Sequence, residues 1–387
     1  MNKSIPLSVP NLKGRELEYV TKAVETEWVS TGGPYVNEFE EKIASYVKVK
    51  GAVSCQNGTA GIHIALLICG VTKYDEVIVP ALTFIAAVNP VSYIGAEPIF
   101  MDCDDSLTMD TVKLLHFCIE ECDFTDGKLI NRKTKKHISA IVVVHIFGNM
   151  ADMEEIMRIA DQFNLKVVED ATEALGTFYT KGNYMGRYAG TIGTVGVYSF
   201  NGNKIITTGG GGMIISNEEE LLKKAKHLTT QAKLDELYYI HDDIGYNYRM
   251  TNLQAALGLA QLEQLEDFIR IKNQNYQLYN DKIQGIPGLF ILKFRNGTRS
   301  NHWFYSLFCD NEYPLTRDEA IKYLSSNGIQ TRPIWDLINK QKPYENFQAY
   351  HVERAEHYLR HVVNIPCSTN LSSDDISYVA ACLRNPQ

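Results

Sequence analysis

Residues 198–215 read YSFNGNKIITTGGGGMII. One lysine, Lys204, is followed by Ile-Ile-Thr-Thr and then by four consecutive glycines, Gly209 to Gly212. This order excludes a Walker-type phosphate loop, in which the GxxxxG segment precedes its lysine. Glycines permit positive φ, close backbone passage, or an uncrowded floor for a neighbouring ring, and packing beneath a planar ligand is expected of this tract. The flanking runs Val195–Phe200 and Gly212–Ser216 are β-prone, so Lys204 hangs from a loop at a sheet edge. A loop lysine is ordinarily solvated. Its significance depends on what the rest of the chain brings beside it.

Outward from this stretch, short β-rich runs alternate with amphipathic helical ones. Strands are expected near 52–54, 76–79, 98–101, 140–145 and 166–169, with helices at 59–69, 86–93 and 153–163 between them. Such alternation builds an α/β unit with a mostly parallel sheet covered on both faces. AIVVVHIFG at 140–148 is apolar almost throughout, as a doubly covered strand requires. Past residue 217 the pattern changes to long helices, 218–230 and 252–278, and then to a smaller α+β set. The expected division is a large domain over 1–245, carrying an insertion at about 103–137, and a small C-terminal domain with an interface helix over 246–387.

The 387 residues, 45% of them hydrophobic, suffice for a sizeable core. A net charge of −8 and the lack of dense Lys/Arg blocks argue against nucleic acid as a partner; RKTKK at 132–136 reads as a solvated loop. No apolar run approaches the roughly 20 residues that span a bilayer, and the N-terminus lacks a signal-peptide core. A cytoplasmic location is the expectation. Eight scattered cysteines suit reduced core thiols, and no cluster has the ligand spacing of a metal site.

Three further segments carry chemistry. NGTAG at 57–61 ends a strand and opens a helix whose first amides are unpaired; it reads either as a phosphate cup or as an ordinary capped start. VVEDATEALG at 167–176 puts Glu169 and Asp170 at a strand's carboxyl end, where open α/β sheets bind ligands. Asp170 there either faces a cationic ring nitrogen or a metal, or caps the next helix, and Glu173 follows within reach. PALTFIAA at 80–87 supplies an aromatic, Phe84. A phosphate cup, an acid, a lysine and a stacking ring are the parts that hold a planar, phosphorylated pyridine aldehyde: pyridoxal 5'-phosphate.

The chain resembles the DegT/DnrJ/EryC1/StrS sugar aminotransferase family of fold type I pyridoxal-phosphate enzymes. The blocks that carry the resemblance are WVSTGGPYVNEFE (28–40), NGTAGIHIAL (57–66), PALTFIAAVNPV (80–91), VVVHIFGN (142–149), VVEDATEALG (167–176), SFNGNKIITTGGGGMI (199–214) and GYNYRMTNLQAALGLAQLEQL (245–265). The resemblance implies a seven-stranded-type sheet, Lys204 as the catalytic lysine that anchors the cofactor, and Asp170 as partner of its ring nitrogen. Gly58, Thr59 and Ser199 would hold its phosphate, with Asn201 beside them, Phe84 would stack on the ring, and Asn247 would reach the phosphate of a neighbouring subunit in a homodimer with shared active sites. Glu173 stands where the family usually has glutamine, at a cofactor contact near the phenolic oxygen. Lysine rather than histidine at 204 favours transamination over the dehydration performed by some relatives on this fold.

Within the family the blocks are similar to the LegC/PglE type. That likeness implies transfer of the amino group of L-glutamate to C4 of a UDP-linked 2-acetamido-4-keto-2,6-dideoxyhexose, on routes to legionaminic acid or bacillosamine. The alternatives are a perosamine-type or 3-aminosugar enzyme acting on a GDP- or dTDP-sugar, and a non-catalytic sensor that binds the cofactor. Trp28, Ser30, Thr31, Arg249, His302 and Trp335 are the candidate substrate contacts, with Trp303 beside them at the rim.

Overall fold

The computed structural model describes residues 4–235 and 237–386. Its central sheet runs, in spatial order, Gly51–Cys55, Gly212–Ser216, Val195–Ser199, Lys166–Asp170, His137–Val144, Asp75–Pro80 and Glu97–Met101. Only Gly212–Ser216 opposes its neighbours; pairing among the other core strands is parallel. The seven-stranded, mostly parallel expectation therefore holds. A short strand, Ala349–Tyr350, extends one edge.

The apolar run at 140–144 is explained by two-sided burial. Ala140, Val142 and Val144 join one core, while Ile141 and Val143 join the other. The same alternation splits Val77 and Val79 from Ile78, as period-two side-chain geometry requires. The segment expected to be an insertion holds a helix, Thr111–Glu120, and a hairpin, Cys122–Thr125 with Lys128–Asn131, which pairs with the start of the His137–Val144 strand.

Toward the C-terminus a four-stranded antiparallel sheet, Leu289–Ile291, Tyr305–Cys309, Val362–Ile365 and Arg332–Pro333, packs with helices that include Leu265–Ile283 and Ser373–Arg384. The chain's beginning is tied to this part: Ile5 N–H donates to Gly328 O at 2.8 Å, and Cys367 N–H to Leu7 O at 2.8 Å. The single helix expected over 252–278 is two, Asn252–Leu262 and Leu265–Ile283, interrupted at Glu263 and Gln264. The first packs against the Glu16–Glu25 and Pro34–Val47 helices, and the second against Ser373–Arg384. A single straight rod would not serve both. Among the described residues no helix is long and apolar enough to cross a membrane, and no group of three or more metal-ligating side chains converges.

Candidate active site

Parallel strands that end side by side leave a crevice at their carboxyl ends, and a cavity of about 770 Å³ opens there. Each adjacent strand supplies one part. After Gly51–Cys55, Asn57 adopts an extended conformation and its side chain accepts the Ala60 amide at 2.8 Å, which starts the Gly58–Ile68 helix. The Gly58 and Thr59 amides have no intrahelical acceptor at such a start, and both residues line the cavity. A Cβ on Gly58 would lie 2.9 Å from Thr172 Cγ2 and 3.0 Å from Ser199 Cβ. The cup is therefore closed by neighbours and needs glycine.

The glycine tract serves the same corner from outside. None of Gly209–Gly212 lines the cavity, contrary to the expected packing beneath a ligand. A Cβ on Gly212 would meet the Asn57 carbonyl carbon and oxygen at 2.6 Å, so glycine there lets its strand run against the turn that forms the cup.

Asp170 ends its strand buried, and its Oδ1 accepts the Thr172 amide at 3.1 Å. Burial raises its carboxyl above the ordinary value. Glu169, one residue earlier, points to the opposite face, as strand alternation dictates. It accepts the amides of Gly190 at 2.8 Å, Ile192 at 2.6 Å and Gly193. His145 Nδ1 accepts the Ala151 amide at 3.1 Å, so its Nε2–H donates to Glu169, 2.8 Å away. Of the two acids only Asp170 reaches the cavity.

Lys204 follows the Val195–Ser199 strand, its amide donating to Asn201 O at 3.0 Å. Its Nζ lies 3.4 Å from Glu173 Oε1 and 4.1 Å from the centre of the Trp303 ring. Trp303 is not a rim residue: it is buried and held by Nε1–H donation to Asn203 O at 2.7 Å. Glu173 is buried, and its Oε2 accepts the Phe147 amide at 2.7 Å. Burial pushes its carboxyl up to about 7, against the opposing pull of Lys204 and the Phe147 amide. Ser199, Asn201 and half-exposed Phe84 also line the cavity, with Trp335 at 5.7 Å from the Phe84 ring.

The remaining predicted contacts are elsewhere. His302 is buried against Tyr276 and Phe294, ring centres 4.8 and 4.5 Å away, and burial lowers it to about 4. It does not line this cavity but a separate one of about 600 Å³, with Phe294, Arg295 and Arg299. Thr31 and Arg249 line a separate cavity of about 220 Å³, where Arg249 Nε is buried without a hydrogen-bond partner. Asn247 bridges to Thr230 near it. Trp28 and Ser30 are exposed, their carbonyls accepting from Asn252 Nδ2 at 2.7 Å and Asn252 N at 2.6 Å. Sequence reasoning missed Arg332, Asp336 and Asn364 on the cavity wall; the QTRPIWD stretch at 330–336 held a signal in the arginine beside Trp335.

The set fits a phosphorylated cationic ring. The cup offers free amides and the Ser199 hydroxyl, Asp170 offers a buried carboxylate, and Lys204 offers an amine in the same enclosure. Comparison with known proteins agrees. Residues 10–384 match the DegT/DnrJ/EryC1/StrS aminotransferase family. GDP-perosamine synthase of Escherichia coli O157:H7 is 37% identical over 378 residues, covering 97% of each chain. UDP-4-amino-4,6-dideoxy-N-acetyl-beta-L-altrosamine transaminase of Campylobacter jejuni (strain 81-176) is 27% identical, covering 97% of this chain and 95% of the other. The crystal structure of a DegT DnrJ EryC1 StrS aminotransferase from Brucella abortus superposes with a TM-score of 0.86 at 27% identity, covering 96% and 94% of the two chains. The chain belongs to this family and is a pyridoxal-phosphate-dependent sugar aminotransferase.

Proposed function

We propose that this member of the DegT/DnrJ/EryC1/StrS aminotransferase family aminates C4 of a nucleotide-linked 4-keto-6-deoxyhexose, with L-glutamate as donor and a GDP-linked sugar as the leading acceptor. The observation that carries the aminotransferase chemistry is the convergence of Lys204, Asp170 and the Gly58–Thr59 helix start on one cavity. Similarity supports the GDP sugar over the UDP-linked 2-acetamido sugar expected from the sequence blocks: the GDP-perosamine synthase is 37% identical and the UDP-sugar transaminase 27%. Perosamine is a 4-amino-4,6-dideoxyhexose, so the C4 position is common to both readings.

In this reading the bound cofactor supplies an aldehyde that carries nitrogen between donor and acceptor and a ring that accepts electrons. The protein supplies the rest. Gly58 and Thr59 amides and the Ser199 hydroxyl hold the phosphate, with Asn201 alongside. The Asp170 carboxylate, costly to bury alone, is stabilised by a cationic ring nitrogen and keeps it protonated. Phe84 would stack on the ring, and Trp335 would border the acceptor sugar. Lys204 would be the covalent anchor, and its amine would move the proton at the donor carbon as general base and then acid. Arg332, at the cavity wall, meets a carboxylate or a diphosphate.

Asn247, Thr31 and Arg249 lie outside this cavity in their own protomer. We assign them to the site of a second subunit, in a homodimer that brings the unpartnered Arg249 side chain to an anion.

The test incubates the full-length protein with pyridoxal phosphate, glutamate and, separately, GDP-, UDP- and dTDP-linked 4-keto-6-deoxy sugars and a 3-keto sugar, with products identified by NMR. Fastest turnover of the GDP sugar with nitrogen at C4 is expected. Preference for the UDP-linked 2-acetamido sugar would reinstate that reading. Amination at C3, or no 2-oxoglutarate with any acceptor, would refute the proposal.

A further inference from the structure

The roles assigned above leave one buried acid of the cavity wall unused. Glu173 has two inequivalent oxygens. Oε2 accepts the Phe147 amide at 2.7 Å, and an amide can only donate, so a proton on this carboxyl belongs on Oε1. Oε1 faces Lys204 Nζ at 3.4 Å. The Trp303 ring covers the amine from another side, 4.1 Å away, and the Lys204 side chain is only 12% exposed. A proton leaving Nζ therefore has a carboxylate oxygen within direct reach.

The surrounding charges sharpen this. Glu173 meets Lys204 from the loop after Val195–Ser199, Asp170 from the end of its strand, and the Phe147 amide from the segment after His137–Val144. Asn301, from the C-terminal part, donates its Nδ2 to the Glu173 backbone carbonyl at 2.8 Å and fixes the residue's position. Two buried carboxyls thus share one lysine. When that lysine loses its charge, both cannot remain ionised cheaply. Each carboxyl holds one backbone amide, but of the two it is Glu173 that has an oxygen within hydrogen-bond reach of Nζ, so Glu173 is the group placed to take up the proton.

We propose that Glu173 is the proton partner of Lys204, exchanging one proton between Oε1 and Nζ so that the amine becomes neutral without leaving a net charge in the site. This rests on Lys204 being the reactive amine. In one direction an N–H bond breaks and an O–H bond forms; in the other the reverse occurs. The ion pair and the neutral pair have the same total charge, and no co-reactant is needed. The elevated carboxyl of Glu173, at about 7, makes both forms accessible near neutral pH. A nucleophilic amine is thereby obtained inside a cavity where an isolated ammonium or carboxylate is expensive.

The experiment labels the full-length apoprotein with acetic anhydride across pH and follows the Lys204 peptide by mass spectrometry, in wild type and in Glu173→Gln, a nearly isosteric change. Loss of the carboxylate removes what favours the charged amine. The labelling midpoint should fall by about one pH unit or more, roughly tenfold more labelling at a fixed pH below it. Coincident midpoints would overturn the proposal. A second readout covers a variant that fails to fold: in Lys204→Met, Glu173 loses its cation, and the infrared band of protonated carboxyl should persist to higher pH than in wild type. No gain in that band would likewise overturn it. Neither readout requires cofactor, so a shifted profile without a cofactor adduct on Lys204 supports the proton pair and contradicts the functional reading, while an adduct without the shift does the opposite.

Discussion

Replacing Gly58 with alanine isolates the phosphate cup from the rest of the site. The added Cβ would stand 2.9 Å from Thr172 Cγ2 and 3.0 Å from Ser199 Cβ, inside the separations at which carbon atoms attract rather than repel. Ser199 or the helix start must give way by several tenths of an ångström. Overpacking of this kind costs about 1–3 kcal/mol, while alanine at a helical position regains up to about 1 kcal/mol over glycine. The apoprotein should therefore lose about 0–2 kcal/mol in urea unfolding. Cofactor binding should suffer more, because the displaced atoms are those proposed to contact phosphate: loss of one or two hydrogen bonds to a charged group, about 1.5–3 kcal/mol each, weakens binding at least tenfold. The assay titrates apoprotein with pyridoxal phosphate and with pyridoxal, which lacks the phosphate, following absorbance. The variant should lose affinity for the first and little for the second. Equal losses for both, or unchanged affinity for the phosphate, would refute the placement of the cup at residues 58 and 59.

Other outcomes follow from the same geometry. Lys204→Ala should abolish turnover while the fold, followed by circular dichroism, persists; wild-type rates would remove Lys204 from the mechanism. Glu169→Ala strips the amides of Gly190, Ile192 and Gly193, and His145 Nε2, of their acceptor, and should cost about 3–5 kcal/mol by urea unfolding. For pH, Glu173 has a folded-state value of about 7 against an ordinary 4.5. Between these values the native state binds more protons than the unfolded one. Its contribution is therefore present in full below about 4.5 and is lost as pH rises through 7, by up to about 3 kcal/mol. Glu173→Gln apoprotein should show a flatter stability profile over pH 5–8, and an unchanged slope would contradict the assignment.

Much of the fold was readable because burial on both faces writes itself into composition. The 140–144 strand could hardly be anything else, and the lysine, the strand-end acid and the NGT turn are local features that a sheet edge must bring together. Other features depend on distant chain. The break at Glu263 and Gln264 arises because the helices on either side pack against different partners, and no glycine or proline marks it. Trp303 and His302 are adjacent in sequence, yet one contacts Lys204 and the other packs against Tyr276 and Phe294. The Phe147 contact to Glu173 is made by a backbone amide on a residue with φ of 57°, and a main-chain donor has no side-chain signature. Arg332 reaches the cavity from the edge strand of the C-terminal sheet, more than a hundred residues past Lys204.

The claim on which the account stands is that Lys204 is the amine that anchors pyridoxal phosphate. The direct measurement is to load the protein with cofactor, reduce with borohydride, digest, and locate the modified residue by mass spectrometry. A single adduct on Lys204, in the peptide that contains SFNGNK, is predicted. An adduct on another lysine, or none at full cofactor occupancy, would contradict it.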